Sequence, residues 1–270
     1  MLENRKREIR KKADSLRGEC KVGRYGIIDL FRECEHLGYM LLRYPLDENA
    51  DLGLVLKKDD DTIIFINSNN RLSRQIFTLA HEIGHIVLHF SEGQSFIDNQ
   101  MTITGKEDKE QEANYFAACL LMPAEEVQRF IDLELPDYKE NGLTALDIAR
   151  MMSEFSVSYE MTLNRLESLN IINENQKNRL DTERVERSVG KLLRSIGGNA
   201  GLNNVGKETV LPHEFIEYAI YNYNNNAIPE ETLEKVLGYY QLSREEISDR
   251  LMPKTEPEID LDELIGGLED

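Results

Sequence analysis

The sequence predicts a mostly helical α+β fold with a small antiparallel sheet, followed by an all-α C-terminal domain. Three observations carry that expectation. Three short β-rich runs, 39–44, 53–58 and 62–67, lie close together early in the chain. Almost every other apolar pattern repeats at three- and four-residue intervals, the helical period. A stretch rich in Gly and Asn, 197–206, separates a longer set of helices from a shorter one.

Taken in order, residues 3–19 form a charged helix rich in Lys and Arg. It serves as a docking arm or, more simply, presents a solvated face. A second helix spans 28–37 and stops at Gly38. His36, in its last turn among charged neighbours, is a surface histidine. The strand at 39–44 is closed by Pro45. The runs 53–58 and 62–67 flank the turn Asp59-Asp60-Asp61 and form a hairpin. A strand in that place lines a cleft and pairs with an extended peptide, or it is purely structural.

Next comes Ile76-Phe77-Thr78-Leu79-Ala80-His81-Glu82-Ile83-Gly84-His85-Ile86-Val87-Leu88-His89, apolar all round and so a buried helix. Asn69, Asn70 and Ser73 are its N-cap choices. Residues 92–106 are polar and irregular, a loop at the cleft edge. Residues 107–122 form a helix stopped by Pro123, and Pro123-Ala124-Glu125-Glu126-Val127 opens another. The pair 143–154 and 159–169, with Ser158 as an N-cap, has a helix-turn-helix pattern. Between 143 and 172 it holds two basic residues and four acids, the wrong balance for DNA. A structural or substrate-docking pair is the better reading. Residues 173–196 form one long charged helix with Val185, Val189, Leu192 and Ile196 on a stripe. Three helices follow at 214–223, 229–240 and 243–251, the last with a capping box of Ser243 and Glu246. The final two again suggest a helix-turn-helix, but 207–253 carries four basic residues against nine acids, which favours protein contact. His213 has no metal role. The acidic tail, 254–270, is expected to be disordered.

The expected organisation is therefore a domain at 1–172 with the helix-turn-helix-like segment at 143–172, a charged helix and linker at 173–206, a helical domain at 207–253, and the tail.

Charge narrows the function classes. The chain has 270 residues, 50 acidic and 32 basic, for a net charge of −18. Such a protein is a poor general binder of nucleic acid or anionic membrane and suits a basic partner. Cys20, Cys34 and Cys119 show no paired spacing, which points to reduced thiols and a cytoplasmic location. The basic start is followed by no apolar stretch, so no signal peptide is expected, and no run is long enough to span a membrane.

The chemistry is concentrated in His81-Glu82-Ile83-Gly84-His85. Residues four apart share one helix face, so both imidazoles reach one point, and Glu82 reaches a water there. Two neutral imidazoles on a metal and a glutamate as general base make a zinc hydrolase. Unpartnered imidazoles on an apolar helix are costly, which disfavours two ordinary core histidines. Catalytic zinc takes three protein ligands and one water. His89 lies ~12 Å along the helix axis from His81 at 1.5 Å per residue, too far to share an ion. It is a residue at the cleft edge or behind the ligands, or a helix-end histidine. The third ligand is sought on the helix 107–122. Glu112 shares its core face with Phe116, Cys119 and Leu120, whereas Glu107, Asp108 and Glu110 fall in polar first turns that favour acids in any case. Glu112 is the choice; otherwise it is a buried carboxylate bonded to backbone or to a neighbour.

Two blocks, Phe77-Thr78-Leu79-Ala80-His81-Glu82-Ile83-Gly84-His85 and Glu112-Ala113-Asn114-Tyr115-Phe116-Ala117 with Leu120-Leu121-Met122-Pro123, resemble the ImmA/IrrE family of bacterial metallopeptidases. The resemblance covers roughly residues 20–170. It implies a zincin-like domain, zinc (Zn2+) on His81, His85 and Glu112, and Glu82 as general base. It also implies a protein substrate, a helix-turn-helix repressor or antitoxin-like regulator, in the setting of phages or mobile elements. Tyr115 and His89 are candidates for steadying the transition state. Two rival readings are a non-proteolytic protein that sequesters a regulator and a DNA-binding regulator with a vestigial zinc site. The oligomeric state does not follow from the sequence.

Overall fold

The structure, a computed structural model, describes residues 1–47, 53–58, 61–90 and 106–252. The expected loop over 92–106, apart from Lys106, which opens a helix, and the acidic tail lie outside the described residues. The chain divides into two compact units, Met1–Val210 and Leu211–Asp270. In the first, α1 (Glu3–Glu19) and α2 (Leu30–His36) precede β1 (Met40–Tyr44), β2 (Gly53–Lys58) and β3 (Asp61–Asn67). Then follow α3 (Leu72–His89), α4 (Lys106–Leu121), α5 (Ala124–Glu134), α6 (Tyr138–Asn141), α7 (Ala145–Phe155), α8 (Tyr159–Ser168), α9 (Glu174–Arg187) and α10 (Val189–Ser195).

The sheet is mixed rather than antiparallel. Its order is β1-β3-β2, with β2 antiparallel to β3 as the hairpin demands and β1 parallel to β3. The chain reverses between β1 and β2 and again between β2 and β3, so β1 and β3 run the same way. The run Ile63-Ile64-Phe65-Ile66 suits β3 to the centre, where a strand is covered on both faces. This leaves β2 as an edge.

One apolar core holds the first unit together. It contains Ile9 and Ala13 of α1, Ile64 and Ile66 of β3, Leu79 and Ile83 of α3, and Phe116 and Leu120 of α4. α7 and α8 are built into it through Ile148, Met152, Phe155, Leu163 and Leu166. Arg165, a basic residue of the helix-turn-helix-like pair, is buried and donates to the Met122 carbonyl at 2.8 Å. Its charge is spent inside the protein. Thr144 and Asp147 form a capping box at the start of α7, and Ser158 caps α8 through the Met161 N–H, as its hydroxyl is placed to do.

Two expectations are revised. The charged stretch 173–196 is two helices, because Ser188 takes a positive φ of 58° and breaks the run. The expected stripe fails with it: Val185 is exposed while Leu192 and Leu193 are buried. The Gly- and Asn-rich stretch is stitched to the first unit. The Leu72 N–H donates to the Asn204 carbonyl and the Gly206 N–H to the Asn70 carbonyl, both at 3.0 Å, and Val210 bridges Arg43 of β1. α3 therefore starts on a backbone acceptor, with Arg71 at the N-cap position and no side-chain cap, rather than on Asn69, Asn70 or Ser73.

The second unit has its own core, with Ile220 and Tyr223 from α11 (Glu214–Asn224) against Leu233 and Leu237 from α12 (Glu230–Tyr239). A 3-10 helix, Glu245–Arg250, replaces the third expected α-helix. Glu246 still accepts from the Ser243 N–H at 2.8 Å. Among the described residues no helix is long and apolar enough to cross a membrane.

Candidate metal centre

The site forms where α3 and α4 touch. Gly84 allows the contact. A Cβ there would meet the Phe116 ring at 3.1 Å, the Ala113 carbonyl oxygen at 3.2 Å and the Ala113 Cα at 3.3 Å. A glycine therefore sets how closely α4 approaches the histidines on either side of it. His81 and His85, one turn apart, bring their Nε2 atoms to 3.0 Å. Glu110 of α4 places its Oε2 3.2 Å from His81 Nε2 and its Oε1 3.5 Å from His85 Nε2. His81, His85 and Glu110 are the group of three, among the described residues, whose ligand atoms are close enough to share an ion.

Hydrogen bonds fix what the two imidazoles offer. His81 Nδ1 lies 3.0 Å from Asn114 Oδ1, so with that oxygen accepting the proton sits on Nδ1. His85 Nδ1 lies 3.0 Å from His89 Nδ1, and His89 Nε2 lies 3.1 Å from Glu112 Oε2. An ionised carboxylate only accepts, so His89 donates from Nε2 and, when neutral, accepts at Nδ1. Burial lowers the pKa of His89, which favours that neutral form. His85 must then carry its proton on Nδ1. Both Nε2 atoms are bare lone pairs turned toward each other beside a carboxylate. A cation between them satisfies that arrangement, and two neutral imidazoles with one carboxylate are a donor set that suits catalytic zinc.

Glu82 is buried on the same helix, and its pKa is pushed up to about 7, chiefly by burial and then by the charge of Glu110. Among the described residues its carboxylate has no hydrogen-bond partner, which leaves it for water. The start of β2 lies against it. A Cβ on Gly53 would meet Thr78 Cγ2 at 2.5 Å and Glu82 Oε1 at 2.7 Å. The backbone of an edge strand thus passes directly by the candidate base.

Glu112 is not brought to the histidine pair. Arg5 of α1 donates to it twice, Nε to Oε1 at 2.8 Å and Nη2 to Oε2 at 2.5 Å. These bonds hold its carboxyl down at about 2. The expectation of Glu112 as third ligand is revised because α4 is approached from two sides, and its edge toward His81 and His85 carries Glu110. Asn114, one turn beyond Glu110, shares that edge and was also missed. The signal that would have found both is their i, i+4 spacing beside Ala113 and Ala117. His89 lies beside His85, with the two Nδ1 atoms 3.0 Å apart. Tyr115 is turned to α1, where its hydroxyl accepts from Arg10 at 3.2 Å. His36 and His213 are surface residues beside Glu33 and Glu214.

Two imidazoles and a carboxylate brought together by a helix pair, with a buried glutamate beside them, are a grouping of the kind that can hold a metal ion. Residues 34–167 match the IrrE N-terminal-like domain of peptidase family M78, so this domain belongs to the ImmA/IrrE family. The chain is also similar to a protein of Bacillus phage phi105 named uncharacterized immunity region protein 2, with 35% identity over 88 residues. That stretch is 33% of this chain and 50% of the phage protein, so the chain spans about half the length of the relative it matches.

Proposed function

We propose that this protein is a zinc-dependent endopeptidase that cleaves one regulatory protein, a helix-turn-helix repressor or an antitoxin, and thereby relieves repression. The observation that carries the reading is the pair of facing Nε2 lone pairs on His81 and His85, closed by Glu110, with Glu82 one residue away. The resemblance to an immunity-region protein supports a regulator as the substrate.

His81, His85 and Glu110 would hold the zinc. When bound, zinc lowers the pKa of a water to ~7 and polarises the scissile carbonyl. Glu82 takes a proton from the attacking water and delivers it to the leaving amine. Asn114 and His89 hold the two imidazoles in the tautomer that leaves Nε2 free. Among the described residues β2 is an edge strand beside Glu82, with Leu54 and Leu56 exposed along it. An extended substrate segment lies along that edge as an added strand. The net charge of −18 draws in a basic DNA-binding protein.

Co-expression of wild type and Glu82→Gln with candidate regulators tests the reading. Wild type yields a cleaved regulator. Glu82→Gln retains bound zinc and loses ~10²–10⁴-fold in cleavage rate. A Glu82→Gln protein that keeps the full biological effect with an intact regulator would instead establish sequestration.

A further inference from the structure

Four basic side chains of α1 are turned to the elements packed beside it. Lys12 donates to the Val87 carbonyl in the last turn of α3 at 3.1 Å. Arg17, itself buried, donates to the Leu120 carbonyl near the end of α4 at 3.0 Å. These carbonyls lie in helix last turns, where backbone acceptors lack an intrahelical partner and positive charge is favoured. Arg10 reaches the Tyr115 hydroxyl. Arg5 makes the bidentate contact with Glu112. α1 thus straps the two helices that carry the metal ligands, and it lies outside the 34–167 stretch that matches the family.

One of these four contacts continues into the site. From Arg5 the chain of hydrogen bonds runs through Glu112 and His89 to Nδ1 of His85. A bidentate arginine fixes a carboxylate in plane as well as position. The carboxylate takes the His89 Nε2–H, and this leaves His89 Nδ1 to accept from His85. We propose that α1 is a working part of the metal centre: Arg5 and Glu112 are positioning residues that, through His89, hold His85 with its Nε2 lone pair turned to the ion. This rests on the reading of His81, His85 and Glu110 as the metal ligands.

The test compares Arg5→Ala, Glu112→Gln and the double variant with Arg10→Ala, which loses a contact of the same helix outside the chain of bonds. Two readouts are used on the full-length protein. One is zinc affinity by chelator competition. The other is the tautomer of each histidine in the zinc-free protein, read from 15N shifts of the rings. The expected result is a 10–100-fold loss of zinc affinity in each single variant, the size usual for partners behind a ligand. The double variant is no worse than the singles. His85 is the Nδ1–H tautomer in wild type and Arg10→Ala, and becomes a mixture in Arg5→Ala. Arg5→Lys, which keeps the charge without the fork, recovers part of the affinity.

The proposal is overturned if Arg5→Ala binds zinc like wild type with His85 unchanged, or if Arg10→Ala is as damaging as Arg5→Ala, since α1 would then act through packing alone. Failure of the ligand reading looks different. In that case Glu110→Gln keeps its zinc, whereas under the proposal Glu110→Gln loses zinc whatever Arg5 does.

Discussion

On one side of α4, Glu110 sits half-exposed against two bare imidazole nitrogens; on the other, Glu112 is held by an arginine fork and a third histidine. The two carboxylates are two residues apart, which at ~100° per residue turns them well away from each other around the helix, although both reach a histidine of α3. The same side chain is thereby given two tasks by what approaches it. α3 brings neighbours that need a cation, and α1 brings the cation itself. A carboxylate already neutralised by Arg5 has little left to offer a metal; one facing lone pairs has everything to offer. The difference teaches that the carboxylate fit to take a cation is set by the charge deficit around it rather than by how deeply its helix face points into the core.

The largest break in this comparison is to exchange the two losses. Glu110→Gln is expected to lower zinc affinity by more than ~100-fold and to abolish peptidase activity, because a direct ligand is gone. Glu112→Gln stays within the ~10–100-fold range of an outer partner and keeps measurable activity. Zinc content after dialysis against a weak chelator separates them. Equal losses, or the reverse order, would remove Glu110 from the ligand set.

The reason the sequence pointed to Glu112 is physical. Helix periodicity ranks positions by how far they point toward the core, and Glu112 shares a face with Phe116, Cys119 and Leu120, all buried. Metal ligands, however, sit where two elements meet, and α4 meets both α3 and α1. Sequence pattern reads Glu110 as a helix-start acid, although α4 begins at Lys106 and Glu110 already lies in its second turn. The His81–Glu82–His85 unit was legible because it is local: three side chains on one helix need no knowledge of tertiary packing. So was the hairpin, which a short turn dictates. The parallel pairing of β1, the break at Ser188 and the strap formed by 204–210 all depend on contacts between segments distant in sequence. The basic face of α1 read as a solvated surface for the same reason, since its acceptors lie on α3 and α4.

A smaller effect is expected from Gly84→Ala, which acts on the spacing between the two helices. In an open helix the change would gain ~1 kcal/mol of propensity. Here the added methyl meets the Ala113 backbone at 3.2–3.3 Å, and backbone has no rotamer to yield, so overpacking at ~1–3 kcal/mol prevails. The thermal midpoint should fall modestly in the zinc-free protein. Zinc affinity should fall as well, because Glu110 moves with α4. A variant with a raised midpoint and unchanged affinity would show that α4 slides without cost.

A further effect is expected in the pH dependence of the zinc-free protein, where a buried carboxyl on α3 and a partly buried one on α4 carry opposite signs. Glu112 has its folded pKa lowered to about 2 from 4.5, first by the Arg5 hydrogen bonds. Its stabilisation is complete above the unfolded value and is lost as pH falls from ~4.5 toward 2. Glu82 has its folded pKa raised to about 7 from 4.5, first by burial. The unfolded chain ionises it more readily, so it costs stability as pH rises from ~4.5 through 7. Urea unfolding at a series of pH values should therefore show a shallower acid limb for Glu112→Gln than for wild type. Glu82→Gln should be more stable than wild type at pH 8 and equal to it near pH 4. If both variants tracked wild type at both ends, the charge environments assigned to the two carboxyls would be wrong. Addition of zinc supplies the missing positive charge beside Glu82, so the gain from Glu82→Gln at pH 8 should shrink in the loaded protein while the acid-limb difference at Glu112 persists wherever zinc has dissociated.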